Sequence, residues 1–189
     1  MTGSKPWPWP QPALDRGAWH LSVGFPMPDV ELAATTGGTE SVGATPGWSV
    51  LFVYPWTGRP GLPNPPGWDD IPGAHGSTPE AEGFRDSHDR FAALGVTVRG
   101  LSTQDSVYQS EFATRLGLPF PLLSDVDFIA TDAADLPTFS TGGVTYLKRL
   151  TVVMWGGRVV TRFYPVHPPH THAGEVLAWF ERATGSSTR

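Results

Sequence analysis

The chain has no cysteine among its 189 residues. That absence removes disulfides, thiolate metal ligands and any thiol nucleophile together. Charge is also scarce. Charged residues make up 16% of the chain, 13 basic against 18 acidic for a net charge of -5. No run of Lys or Arg builds a stripe that could neutralise phosphates, so nucleic acid is not expected as a partner. Long apolar runs are missing too. The opening MTGSKPWPWPQPALDRG has no apolar segment of the kind that directs secretion, and nowhere do some 18 apolar residues follow one another. No membrane contact is expected, and the cytoplasm is the expected compartment.

What is abundant is glycine, proline and tryptophan, at 22, 20 and 8 residues, within a chain that is 39% hydrophobic. This describes a loop-rich globular protein with large aromatic anchors rather than a disordered one. The length suits one core. Residues 1–27 hold five prolines and read as an extended arm whose Trp7 and Trp9 dock on the domain or on a second subunit. One domain is expected over 28–184, with a short tail at 185–189.

Within that domain, VELAATTGGTESV (30–42) reads as two short strands about a Gly-Gly turn. WSVLFVYP (48–55) is a continuous β-branched and aromatic run, the pattern of a strand buried on both faces. The loop 56–76 follows, with five prolines and five glycines; ordered loops of such length are usually functional. A helix is expected from Ser77 to Gly95, a strand over 96–102, a helix over 106–117 and a short strand over 120–125. A hairpin is expected from 145–155 and 158–166 about Gly156-Gly157, and a closing amphipathic helix over 173–185. Strands alternate with helices and then a hairpin and a helix follow, so the class is α/β with a mixed sheet.

The stretch PGAHGSTPEAE (72–82) sets Ser77, Thr78 and Pro79 at the start of a helix. Ser77 has two readings, a nucleophile with His75 as its base or an N-cap residue. The spacing i to i+2 and the lack of a G-x-S-x-G elbow favour the cap, with the hydroxyl also lining a pocket. His75 could act as acid or base near neutral pH, although loop histidines are more often solvated. VHPPHTH (166–172) raises weak metal candidates in His167, His170 and His172; with no carboxylate or cysteine within the stretch, a solvated loop is the favoured reading and no metal or cofactor is expected.

The order VLFVYP, long loop, helix, VRGLSTQ, LPFPLLSD and KRLTVVMWGGRVV resembles the peroxiredoxin family, AhpC/TSA proteins of the thioredoxin fold, over roughly residues 28–182. The resemblance implies a central mixed β-sheet flanked by helices, and a homodimer. In that family a cysteine at the helix start attacks a hydroperoxide. Aligning Gly76, Thr78 and Pro79 with the family's Gly-Cys-Thr-Pro places Ser77 at that cysteine, Glu82 where two-cysteine members carry a resolving cysteine, and Ala74 where many members have a peroxide-holding threonine. Arg149 matches the arginine that activates the thiol. It is expected in the pocket, facing Tyr54 and Thr57 on the opposite rim, with Trp56 as a wall, Trp68 closing the loop over it and Thr78 beside Ser77.

A serine hydroxyl stays neutral and has no sulfenic acid state, so this chain cannot run a thiol peroxidase cycle. Three functions follow from the resemblance. The chain is an enzyme that uses the old peroxide pocket, through Arg149, Tyr54, Ser77 and His75, to convert a small organic substrate. Alternatively, it is a one-cysteine peroxidase acting on hydroperoxides, with serine replacing the thiol, or it is a non-catalytic binding homologue.

Overall fold

The computed structural model describes residues 7–185. The first six residues of the expected arm and the tail beyond 185 lie outside the described residues. The first strands, β1 (Glu31–Ala34) and β2 (Thr39–Ser41), form a hairpin. The core strand β3 (Trp48–Val53) pairs in parallel with β4 (Val96–Ser102), which pairs in parallel with β5 (Leu122–Ser124). On the other side β3 pairs antiparallel with β8 (Leu150–Trp155), and β8 with β9 (Arg158–Phe163). The result is a seven-stranded mixed sheet in the order β2-β1-β5-β4-β3-β8-β9.

Alternation along β3 sets the two cores. Val50 and Phe52 face one side with Phe84, Phe91, Phe112 and Phe180, whereas Leu51 and Val53 face the other with Ala18, Leu21, Met27 and Leu136. A strand that carries apolar side chains on both faces must be covered on both, because its side chains point alternately up and down. The first face is covered by the helices α1 (Ser77–Asp86), α2 (His88–Ala93), α3 (Ser106–Leu116) and α5 (His172–Gly185). No helix among the described residues is long and apolar enough to cross a membrane.

The structure departs from the sequence reading in three places. The helix expected over 77–95 is two helices, broken at Ser87, which sits at φ -98 and ψ 1; serine competes for backbone partners inside a helix and favours such ends. The strand expected over 145–155 is also two. The segment β7 (Val144–Leu147) belongs to a separate hairpin with β6 (Thr138–Thr141), and Lys148-Arg149 form the break before β8. Its turn is Gly142-Gly143 with φ 57 and 76, the left-handed pair that a two-residue hairpin requires. Neither β6 nor the short helix α4 (Ile129–Ala133) was anticipated.

Candidate functional site

The site forms where α1 meets the break between β7 and β8. Gly76, at φ 111, holds the cap position of α1, and no side chain caps the helix. The N-cap reading of Ser77 is therefore corrected: Ser77 is the first helical residue, 3% exposed, and its hydroxyl accepts a hydrogen bond from Arg149 Nη2 at 3.0 Å. Only glycine fits at 76, since a Cβ there would lie 2.1 Å from Pro169 Cγ and 2.9 Å from Trp7. The same Nη2 donates to the carbonyls of Ala74 and His75, each at 3.3 Å. One guanidinium thus ties the apex of the long loop to the start of the helix.

Arg149 Nη1 pairs with Glu80 Oε2, and both side chains are fully enclosed. Glu80 lies three residues after Ser77, on the same helical face. Burial pushes its carboxyl up, against the pull of Arg149 and then His172. No reading of the sequence singled out Glu80; the signal available was this i, i+3 spacing from Ser77. Beyond the pair, buried His172 contacts Thr151 Oγ1 through Nε2 at 2.8 Å and Glu175 Oε2 through Nδ1 at 3.1 Å.

Above Ser77 opens a cleft of about 330 Å³, walled by Trp7, Trp9, Trp56 and Trp68 and floored by Ser77 and Thr78. Trp7 stacks on His170 at 5.0 Å, and Trp9 on His75 at 3.7 Å between ring centres. The carbonyl of Pro10 accepts from Gly73 N–H at 3.1 Å. The arm therefore docks on its own domain and supplies two of the four aromatic walls. Trp68, 3% exposed in a single turn of 3-10 helix (Trp68–Asp70), meets Trp56 edge to face at 5.5 Å.

Other expected residues lie elsewhere. Tyr54 is not on the rim: it is buried among Phe52 and its neighbours, its hydroxyl accepts from Gln109 Nε2 at 3.3 Å, and burial pushes its phenol up. Thr57 is likewise off the rim. Its N–H and hydroxyl both donate to Gln104 Oε1 at 3.1 and 3.0 Å, which anchors the start of the loop. The resemblance placed both on the rim, whereas packing against Phe52 and the amide of Gln104 draw the two side chains inside. His75 does line the cleft, yet it makes no hydrogen bond to Ser77; its Nε2 contacts Asp69 Oδ1 at 2.8 Å. Asp69 was not anticipated either, because it lies six positions before His75, outside the stretch that singled out Ser77.

The three weak metal candidates diverge into separate surroundings. His170 stacks on Trp7, His172 is buried against Thr151, and burial and then His170 hold the His167 imidazole below its usual range. Among the described residues no cluster of three or more His, Asp or Glu could hold a metal ion.

A model of the AhpC/TSA family matches residues 72–144, from the loop that carries Ser77 to the β6–β7 hairpin. Peroxiredoxin Bcp of Bacillus subtilis is 31% identical over 117 residues, covering 61% of this chain and 65% of that protein. The chain thus spans under two thirds of the length of this curated relative. Among solved structures, peroxidoxin BcpB from Mycobacterium tuberculosis superposes with a TM-score of 0.68 at 26% identity, covering 85% of this chain and 96% of that one. A cysteine-to-serine variant of Xanthomonas campestris peroxiredoxin Q does so with a TM-score of 0.66 at 26% identity, covering 82% and 91%.

Proposed function

Since this chain is a relative of the AhpC/TSA peroxiredoxins in sequence and fold, with serine where their attacking cysteine belongs, we propose that it binds and converts a small, flat, oxygen-bearing organic molecule. The observation that carries this reading is the cleft itself, four tryptophans over a buried hydroxyl that Arg149 holds in place. Its volume of about 330 Å³ falls within the range of small-ligand sites, which run from roughly 300 to 1,000 Å³.

The chemistry follows from the donors. Ser77 Oγ accepts from Arg149, which leaves its O–H to donate to a ligand oxygen, and a donor that is itself polarised donates more strongly. Serine is not the nucleophile here, for no base contacts it. His75, paired with the Asp69 carboxylate, serves as acid or base beside the polarised oxygen, and the carboxylate stabilises the imidazolium when it forms. The reaction class is proton transfer within a bound carbonyl or enol compound, which needs no electron carrier.

A screen of aromatic carbonyl compounds by tryptophan fluorescence tests the reading. Binding should weaken about tenfold or more in Ser77→Ala, the loss of about 1.4 kcal/mol expected for one buried hydrogen bond. His75→Gln should keep binding and lose turnover. A parent protein that binds none of these compounds overturns the proposal.

The Arg149 to Ser77 contact at 3.0 Å favours a second reading, because a thiolate in that place would be stabilised by the same guanidinium. Ser77→Cys decides between the two. We expect slow, non-catalytic oxidation by hydroperoxide, since Ala74 offers no hydroxyl and the Ala74 and His75 carbonyls already occupy Arg149. Sustained peroxide turnover by that variant would establish the peroxidase reading instead.

A further inference from the structure

Behind the loop that carries Ser77 lies a second cavity, of about 260 Å³, whose lining shares no residue with the tryptophan cleft. Its walls are apolar: Pro12 and Ala13 from the arm, Ile71 from the loop, Phe139 from β6, and Pro165 with Val166 after β9. Its polar groups gather around Lys148, Asp15, Tyr164 and Arg149. A concave apolar chamber with a few convergent polar groups is the usual form of a small-molecule site. The known size scale agrees, since an apolar cavity of about 150 Å³ takes benzene, and this one has room for a second ring.

Charge selects the ligand further. Lys148 Nζ pairs with Asp15 Oδ2 at 2.7 Å, and Arg149 is held by Glu80. Each cation already has its counter-charge, the Arg149 pair buried and the Lys148–Asp15 pair partly exposed, so a charged ligand finds no unpaired partner in the chamber. Tyr164 donates its O–H to Asp15 Oδ1 at 2.6 Å, and its oxygen keeps a lone pair for an incoming donor.

We propose that this chamber is a second ligand site, for one uncharged, two-ring apolar molecule that carries a single N–H or O–H donor directed at Tyr164 and Asp15. The site depends on the arm, which roofs this chamber with Pro12 and Ala13 and walls the other cleft with Trp7 and Trp9.

Indole is the probe, with indole-3-acetate and tryptamine as its charged counterparts, titrated calorimetrically into the full chain. Amide shifts of Phe139 and Val166 report this chamber, and those of Gly58 and Thr78 report the tryptophan cleft. Indole is expected to shift Phe139 and Val166 and to bind at least tenfold more tightly than either charged analogue. Filling the chamber by Ile71→Trp should weaken that binding tenfold or more, and Ala13→Trp, a change at an exposed arm position, provides the same test if the first variant folds poorly. Shifts confined to Gly58 and Thr78, equal affinity for the charged analogues, or binding that both variants leave intact would overturn the proposal.

Discussion

Arg149 and Glu80 are both enclosed by protein and form an ion pair, with His172 a weaker second attraction on Glu80. A pair of this kind adds little by itself, because desolvation offsets most of the attraction, but removing one member strands the other in a low-dielectric interior. Arg149→Met should therefore cost about 3–5 kcal/mol in a urea unfolding experiment. The double variant Arg149→Met with Glu80→Leu should recover most of that loss while still losing ligand binding at Ser77. If the double variant is as unstable as the single one, the cost lies in the loop contacts to Ala74 and His75 rather than in the stranded charge. At this scale the sequence was only partly legible. Ser77, Arg149, Trp56, Trp68 and His75 stand out by type and by resemblance, whereas Glu80 and Asp69 look like ordinary surface carboxylates until folding gives them partners.

Among the elements, the arm is the least legible and the most consequential. Its prolines exclude a helix, but nothing in PWPWPQP states that Trp7 and Trp9 stack on His170 and His75, because those partners lie far along the chain. Regular elements were easier: β3, β4, α3 and α5 follow from hydrophobic runs and glycine stops, whereas β6 and α4 are too short and polar to register. Farther along the arm, Asp15 clips it to the domain by accepting from Lys148, Tyr164 and Gly17. Partial burial pushes its carboxyl up, but hydrogen bonds from Lys148, Tyr164 and Gly17 outweigh this and pull it from 3.8 to about 2. A carboxylate whose pKa is lowered on folding contributes stability above its unfolded pKa and loses that contribution as the pH falls toward the folded one. Asp15→Asn should therefore lower the urea midpoint at about pH 6, and the gap to the parent protein should close between about pH 4 and pH 2. A gap that stays constant across that range would show that Asp15 acts through packing rather than charge.

At the scale of the whole molecule, the sheet decides what the chain can spare. Strand β3 is apolar on both faces, and the four helices α1, α2, α3 and α5 cover only one of them. The other face is covered in part by Ala18, Leu21 and Met27, which pack with Leu51, Val53, Val152 and Met154. Residues that composition groups with the proline-rich arm thus include part of a core, and proline content, a local property, gives no sign of it. Truncation separates the two roles. Removing residues 1–11 takes away Trp7 and Trp9 but leaves that core intact, so the protein should unfold cooperatively at nearly the parent urea midpoint while the cleft loses ligand binding. Removing residues 1–27 strips three buried side chains from one face of the sheet. Burying an aliphatic side chain of the size of Leu or Met contributes about 1.5–3 kcal/mol, and typical domains hold only about 5–15 kcal/mol in reserve. The longer truncation should therefore give a protein that exposes the sheet, binds hydrophobic dyes and aggregates. Cooperative unfolding by that shorter chain would mean that the helical face alone sustains the fold.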